Sequence, residues 1–158
     1  MLYYVEAFKK YLHGMEDCEL TVIGPAIGFR ETRRMKGEEI ITAEDVLGRR
    51  KRPDGVARAG WKPEIHMDAN KMGTYIEVSE GSWFDVPLGA LQCESLDNLY
   101  GAGRMVSSEQ TAHAAVRVMG TCFATGHAAG VAAACQALHG EAPAEAVRAE
   151  LEKQGALL

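Results

Sequence analysis

Apolar and polar residues recur along this chain with two periods, and each period predicts a different kind of element. Over residues 2 to 13, Leu2, Val5, Phe8 and Leu12 fall at helical spacing, which predicts an amphipathic helix. No Ser, Thr, Asp or Asn precedes it to cap its first turn, so the chain reads as starting partway through an element of a longer protein. Glu19 to Ile23 alternates and is β-branched, which predicts a strand broken by Gly24-Pro25, with a short extended piece at Ala26 to Phe29. Thr42 is placed to cap a helix over 43–48, with Asp45 completing an approximate capping box. The basic tetrad Arg49 to Arg52 predicts a solvated loop before a turn at Asp54-Gly55. Strands are expected around His66, over Thr74 to Val78 and over Trp83 to Pro87, with a turn at Ser79 to Ser82.

The stretch that organises the rest is 95–139. A polar turn, Ser95 to Asn98, leads into a short strand, Leu99-Tyr100, and then Gly101-Ala102-Gly103-Arg104. A long small-residue helix is predicted from about Thr111 to His139. Gly126 and Gly130 are four apart and share one face, with Cys122, Ala129 and Ala133 on or beside it. That face predicts close packing on something flat, either a sheet or a planar ligand. Strand, glycine turn and helix N-terminus together offer free backbone N–H groups to an anionic or electron-rich group. Gly140 is a good C′ residue, and Pro143 opens a last helix over about 144–154 with Val147 and Leu151 turned inward.

Length and composition narrow the partners. The chain has 158 residues, the length of one domain, with 47% hydrophobic and 25% charged residues and a net charge of −5. This mild acidity argues against nucleic acid, and the tetrad at Arg49 has no interleaved aromatic residues. The uncharged run Val118 to Leu138 is long enough for a bilayer but consists mostly of Ala and Gly, with His127 and Gln136 inside, so no membrane span is expected. No signal peptide is apparent. Cys18, Cys93, Cys122 and Cys135 lack metal-ligand spacing, which predicts free thiols in a reducing cytoplasm and no metal site. Cys122 stands out because a helix N-terminus lowers a thiol pKa.

Two features carry candidate chemistry. Arg30-Glu31-Thr32-Arg33-Arg34 reads either as a salt-bridged surface segment or as a source of an inward guanidinium for a carboxylate or another planar anionic partner. His66 reads either as a structural strand residue or as a proton exchanger near neutral pH.

The order Asn98-Leu99-x-x-Ala102-Gly103-Arg104, His113-x-x-x-Arg117, Met119-Gly120-Thr121-Cys122 and Gly126-x-Ala128-Ala129-Gly130-x-Ala132-Ala133 resembles the C-terminal end of a family of FAD-dependent oxidoreductases with a glutathione-reductase-like FAD fold. The likeness runs from about Leu20 to the end, and Arg30 to Arg34 followed by Thr42 to Val46 is similar to a further signature of it. The resemblance implies an α+β chain that is a fragment of an α/β FAD-binding fold. Residues 1–94 would be a small strand-rich substrate region, and residues 95–158 the last strand, the long helix and a C-terminal helix of the FAD domain. It implies FAD as cofactor, with Gly101, Ala102, Gly103, Arg104, Gly120, Thr121 and Cys122 against the flavin. His66, Arg30, His113 and Arg117 would line the reaction face for a small-molecule substrate. Two departures are visible: His113-Ala114-Ala115-Val116-Arg117 stands where the family usually has H-G-S-x-R, and Leu88, Gly89 and Ala90 stand where its strand is basic or polar.

The chain contains no G-x-G-x-x-G fingerprint for pyrophosphate and ribose. The expectation is therefore an oxidoreductase segment that is incomplete for catalysis alone. Its partner would be the missing N-terminal FAD domain or a second copy. Alternatives are a non-catalytic subunit completing a separately encoded FAD domain, and a small α+β domain binding an anion or nucleotide at Gly101 to Arg104. Alone, the chain is expected to expose a helix face and self-associate.

Overall fold

The computed structural model describes residues 1–66 and 72–158. The fold is α+β. Five α-helices, α1 (Leu2–Tyr11), α2 (Ala43–Leu47), α3 (Gln110–Val116), α4 (Met119–His139) and α5 (Ala144–Lys153), accompany two antiparallel ribbons among the described residues. β1 (Gly55–Ala59) pairs with β4 (Phe84–Pro87), with Arg58 opposite Asp85 and Ala59 opposite Phe84. β2 (Glu64–Ile65) pairs with β3 (Thr74–Tyr75).

One hydrophobic core joins the two halves of the chain. Val56, Ala57 and Ala59 from β1 and Phe84 and Val86 from β4 are buried with Ala128, Val131 and Ala132 of α4. α5 closes this layer through Val147 and Leu151, as their helical spacing predicts. Burial of each stabilises the layer by roughly 1.5–3 kcal/mol. Gly140 ends α4 with φ of 79°, a left-handed conformation that glycine adopts without strain.

Local signals were read well where neighbours in sequence decide the outcome. Thr42 caps α2: its hydroxyl oxygen accepts from the Asp45 N–H at 3.2 Å, and the Asp45 carboxylate accepts from the Thr42 N–H at 2.9 Å. α1 forms uncapped, as expected, yet none of its residues is buried and its apolar positions meet solvent.

Elsewhere long-range contacts overturn the expectation. Glu19 to Ile23 forms no strand, because no other segment pairs with it; Val22 is 79% exposed. Thr74 to Val78 shrinks to the two residues of β3. Leu99-Tyr100 is reduced to a single bridge between Tyr100 and Gln92. Leu88 to Ala90 is a buried 3-10 turn and not a strand. The basic tetrad is a loop solvated only in part: Arg50 and Lys51 are exposed, whereas Arg49 and Arg52 turn inward. Arg49 is buried and donates to the carbonyls of Gly60 and Trp61, while Arg52 pairs with Asp54 at 2.9 Å and Glu39 at 2.6 Å. The predicted single helix over Thr111 to His139 is two helices, α3 and α4, set at 92°. No single helix among the described residues is long and apolar enough to cross a membrane.

The capping box gives a direct stability test. Thr42→Ala should lower unfolding stability by about 1 kcal/mol, with Thr42→Ser near wild type, in urea titrations at unchanged slope. A Thr42→Ala midpoint equal to wild type would contradict the role assigned to this cap.

Candidate functional site

The site is built by the break between α3 and α4. The Arg117 N–H still donates to the His113 carbonyl at 3.1 Å, closing α3. Val118 is then extended at φ −76° and ψ 151°, and the chain turns into α4. No side chain caps the new helix. A helix of 21 residues thus presents the donors of its first turn, near the exposed Gly120, with the positive end of its dipole.

The Gly101–Arg104 turn is laced to that first turn. The Gly103 N–H donates to Thr125 Oγ1 at 3.1 Å, and the Thr125 hydroxyl donates to the Thr121 carbonyl at 2.9 Å. Gly103 has φ of 64°, a left-handed conformation that favours glycine, and a Cβ there would sit in ordinary contact with Cys122. Gly101 is buried against Met35, whereas Gly120 faces open space. Cys122 is half-buried, and burial pushes its thiol pKa up, with Arg104 opposing only in part. The expected activation of this thiol by the helix end is therefore overturned by desolvation.

Beside Val118 opens a cleft of about 330 Å³ whose walls carry the Arg30, Arg104 and Arg117 side chains, Glu64, and the apolar Phe29. A second hollow of about 40 Å³ adjoins it at His66, Glu31 and Gln110. Arg30 Nη1 donates to His66 Nε2 at 2.6 Å. A guanidinium can only donate, so Nε2 is the acceptor in this contact. Glu64 Oε1 lies 3.3 Å from the same nitrogen. Arg117 is held by two elements at once: Nη2 donates to the Glu64 carbonyl at 3.0 Å and Nη1 lies 3.6 Å from Glu31 Oε2.

His113 sits beneath this surface, fully buried. Its Nε2–H donates to the Arg104 carbonyl at 3.0 Å, and its Nδ1 has no partner, with Glu31 Oε1 4.0 Å away. Burial lowers its pKa, outweighing the Arg104 carbonyl and the Glu31 carboxylate, which favour the charged form. His113 therefore fixes the Arg104 turn from below and does not reach a ligand in the cleft. Arg30, His66, Arg104 and Arg117 are brought together at the cleft, and Gly103, Thr121 and Cys122 interlock behind it. Sequence reasoning missed Glu64, Phe29 and Val118 as lining residues, since a strand residue and two isolated apolar positions carry no motif. Among the described residues no cluster of three or more His, Cys, Asp or Glu is placed to hold a metal ion.

The sign of the His113 effect follows from a folded-state pKa below the usual histidine value of about 6.5. Above that value both states are neutral and the stability is fully present. As pH falls below it, the unfolded chain takes up a proton that the folded chain refuses, and stability falls until the depressed folded pKa is reached. Wild type should lose stability from pH 6.5 downward, and His113→Gln should flatten that limb in urea unfolding across pH. Equal slopes in the two proteins would refute the assignment.

Compared with known proteins, the chain matches the family model described as FAD dependent oxidoreductase over residues 1–154. No curated protein and no solved structure matches it. The match spans the Arg30 segment, the Gly101–Arg104 turn and all of α4, the elements that build the cleft. This chain belongs to the FAD-dependent oxidoreductase family, whose cofactor is FAD.

Proposed function

We propose that this chain supplies the flavin-facing end and part of the substrate pocket of an FAD-dependent oxidoreductase, and that it is incomplete for catalysis alone. The observation that carries the reading is the uncapped start of α4 opening beside a cleft lined by Arg30, Arg104 and Arg117. These groups fit the electron-rich edge of a flavin ring. Backbone donors at the positive end of a helix, reinforced by guanidinium groups, favour negative charge there. They do not fit the pyrophosphate, for which the sequence has no glycine-rich cradle. Bound FAD supplies the transfer of electrons or hydride, and the residues of this chain orient and electrostatically tune that chemistry. Arg30 occupies His66 Nε2 in the free chain, and a ligand that draws Arg30 away frees that nitrogen to take a proton from a substrate at the cleft mouth. Arg117, fixed to the Glu64 backbone, sets the wall opposite. His113 positions the Arg104 turn without touching substrate.

The outer face of α4 supports the incompleteness. Gly126 and Gly130 lie on it, and a Cβ at either would meet nothing. Met119, Phe123 and Leu138 are each more than 70% exposed on the same helix. Among the described residues nothing packs on Gly126 or Gly130, where close packing was expected. In this reading the face receives the dinucleotide-binding part of the enzyme, present in the same polypeptide or as a separate subunit.

Gly130→Leu tests this. In the isolated chain the substitution should leave stability unchanged or raise it by about 0.5–1 kcal/mol, because glycine is the poorer helix former. With the dinucleotide-binding part supplied, it should cut flavin retention roughly tenfold or more, since overpacking costs about 1–3 kcal/mol. Flavin content read from the visible absorbance decides. Retention equal to wild type would sink the proposal that this face is covered.

A further inference from the structure

We infer that the cleft beside α4 is built for a small carboxylic acid and that Arg30 and Arg104 grip its carboxylate. The inference rests on the reading of this cleft as the substrate side of the flavin site. Three guanidinium groups against one glutamate line a single cavity of a chain whose net charge is −5, so positive charge is gathered here against the overall balance. Arg117 is already spent on the Glu64 carbonyl and on Glu31, which leaves the exposed Arg104 and the Arg30 fork as the groups able to turn to a ligand. Arg30 now donates to His66 Nε2, an acceptor that a carboxylate displaces, because a guanidinium–carboxylate pair makes the stronger hydrogen bond.

The apolar parts of the lining decide between organic and inorganic anions. Phe29 and Val118 form walls that a carbon skeleton satisfies and a bare phosphate does not. A volume of about 330 Å³ accommodates about ten water-sized bodies, the size of a short-chain acid. The lining has no run of glycine amides to wrap a tetrahedral phosphate.

Calorimetric titration of the chain with malonate, succinate and glutarate, against their uncharged diamides and inorganic phosphate, tests the assignment. At least one dicarboxylate should bind tighter than phosphate, and its diamide should not bind. Arg30→Gln and Arg104→Gln, both at exposed positions, should each weaken it roughly tenfold or more. Circular dichroism confirms that these variants fold, and FAD binding is titrated in parallel with the dinucleotide-binding part supplied. Silence from all three dicarboxylates, tighter binding of phosphate, or equal binding by both variants would overturn the inference. Carboxylate binding without any flavin binding would instead remove the flavin reading and leave the anion site standing.

Discussion

The right-angled break at Arg117-Val118 is the constraint on which the site depends. Were α3 and α4 continuous, the amides of Gly120 and Thr121 would be consumed inside one long helix. The break frees them and points a 21-residue dipole at the cleft. Arg117 holds it in place, since its backbone closes α3 while its guanidinium is tied to the Glu64 carbonyl on β2. The bond to Glu64 reaches 53 residues back along the chain, so the geometry of the cleft is set by tertiary structure.

α4 therefore has two faces with opposite duties. Its inner face, through Ala128, Val131 and Ala132, packs on the β1–β4 ribbon and on α5 and stabilises the chain. Small side chains let the helix come close to the strands there. Its outer face carries Gly126 and Gly130 in open solvent, where glycine lowers helix stability without any return inside this chain. In the proposed reading, these glycines keep the face clear for the dinucleotide-binding part. The same logic applies to the fully buried His113, whose unpaired Nδ1 is tolerated because its other nitrogen fixes the Arg104 turn.

The residues that sequence made legible are those whose outcome is settled within a few positions. The Thr42–Asp45 box, the Gly140 cap and the Val147–Leu151 face are local devices, and each formed as read. The strand at Glu19 to Ile23 failed because alternation needs a neighbouring strand to become structure. The helix break escaped notice because Arg117-Val118 contains no glycine or proline, and the Arg117 bond to the Glu64 carbonyl joins residues far apart in sequence. Arg49 was read as solvated because its acceptors, the Gly60 and Trp61 carbonyls, become neighbours only after the β1 turn. The cleft was half legible: its arginines and His66 were marked by residue type and family likeness, whereas Glu64, Phe29 and Val118 gather there only in three dimensions.

The central claim is that the start of α4 meets the flavin, and backbone amide resonances report on it most directly. With the dinucleotide-binding part supplied and FAD titrated in, the Gly103, Gly120 and Thr121 amides should shift most, in step with flavin binding. Bound FAD that leaves these three amides unmoved, with shifts confined to the groove between Val56, Phe123 and Leu157, would contradict the account.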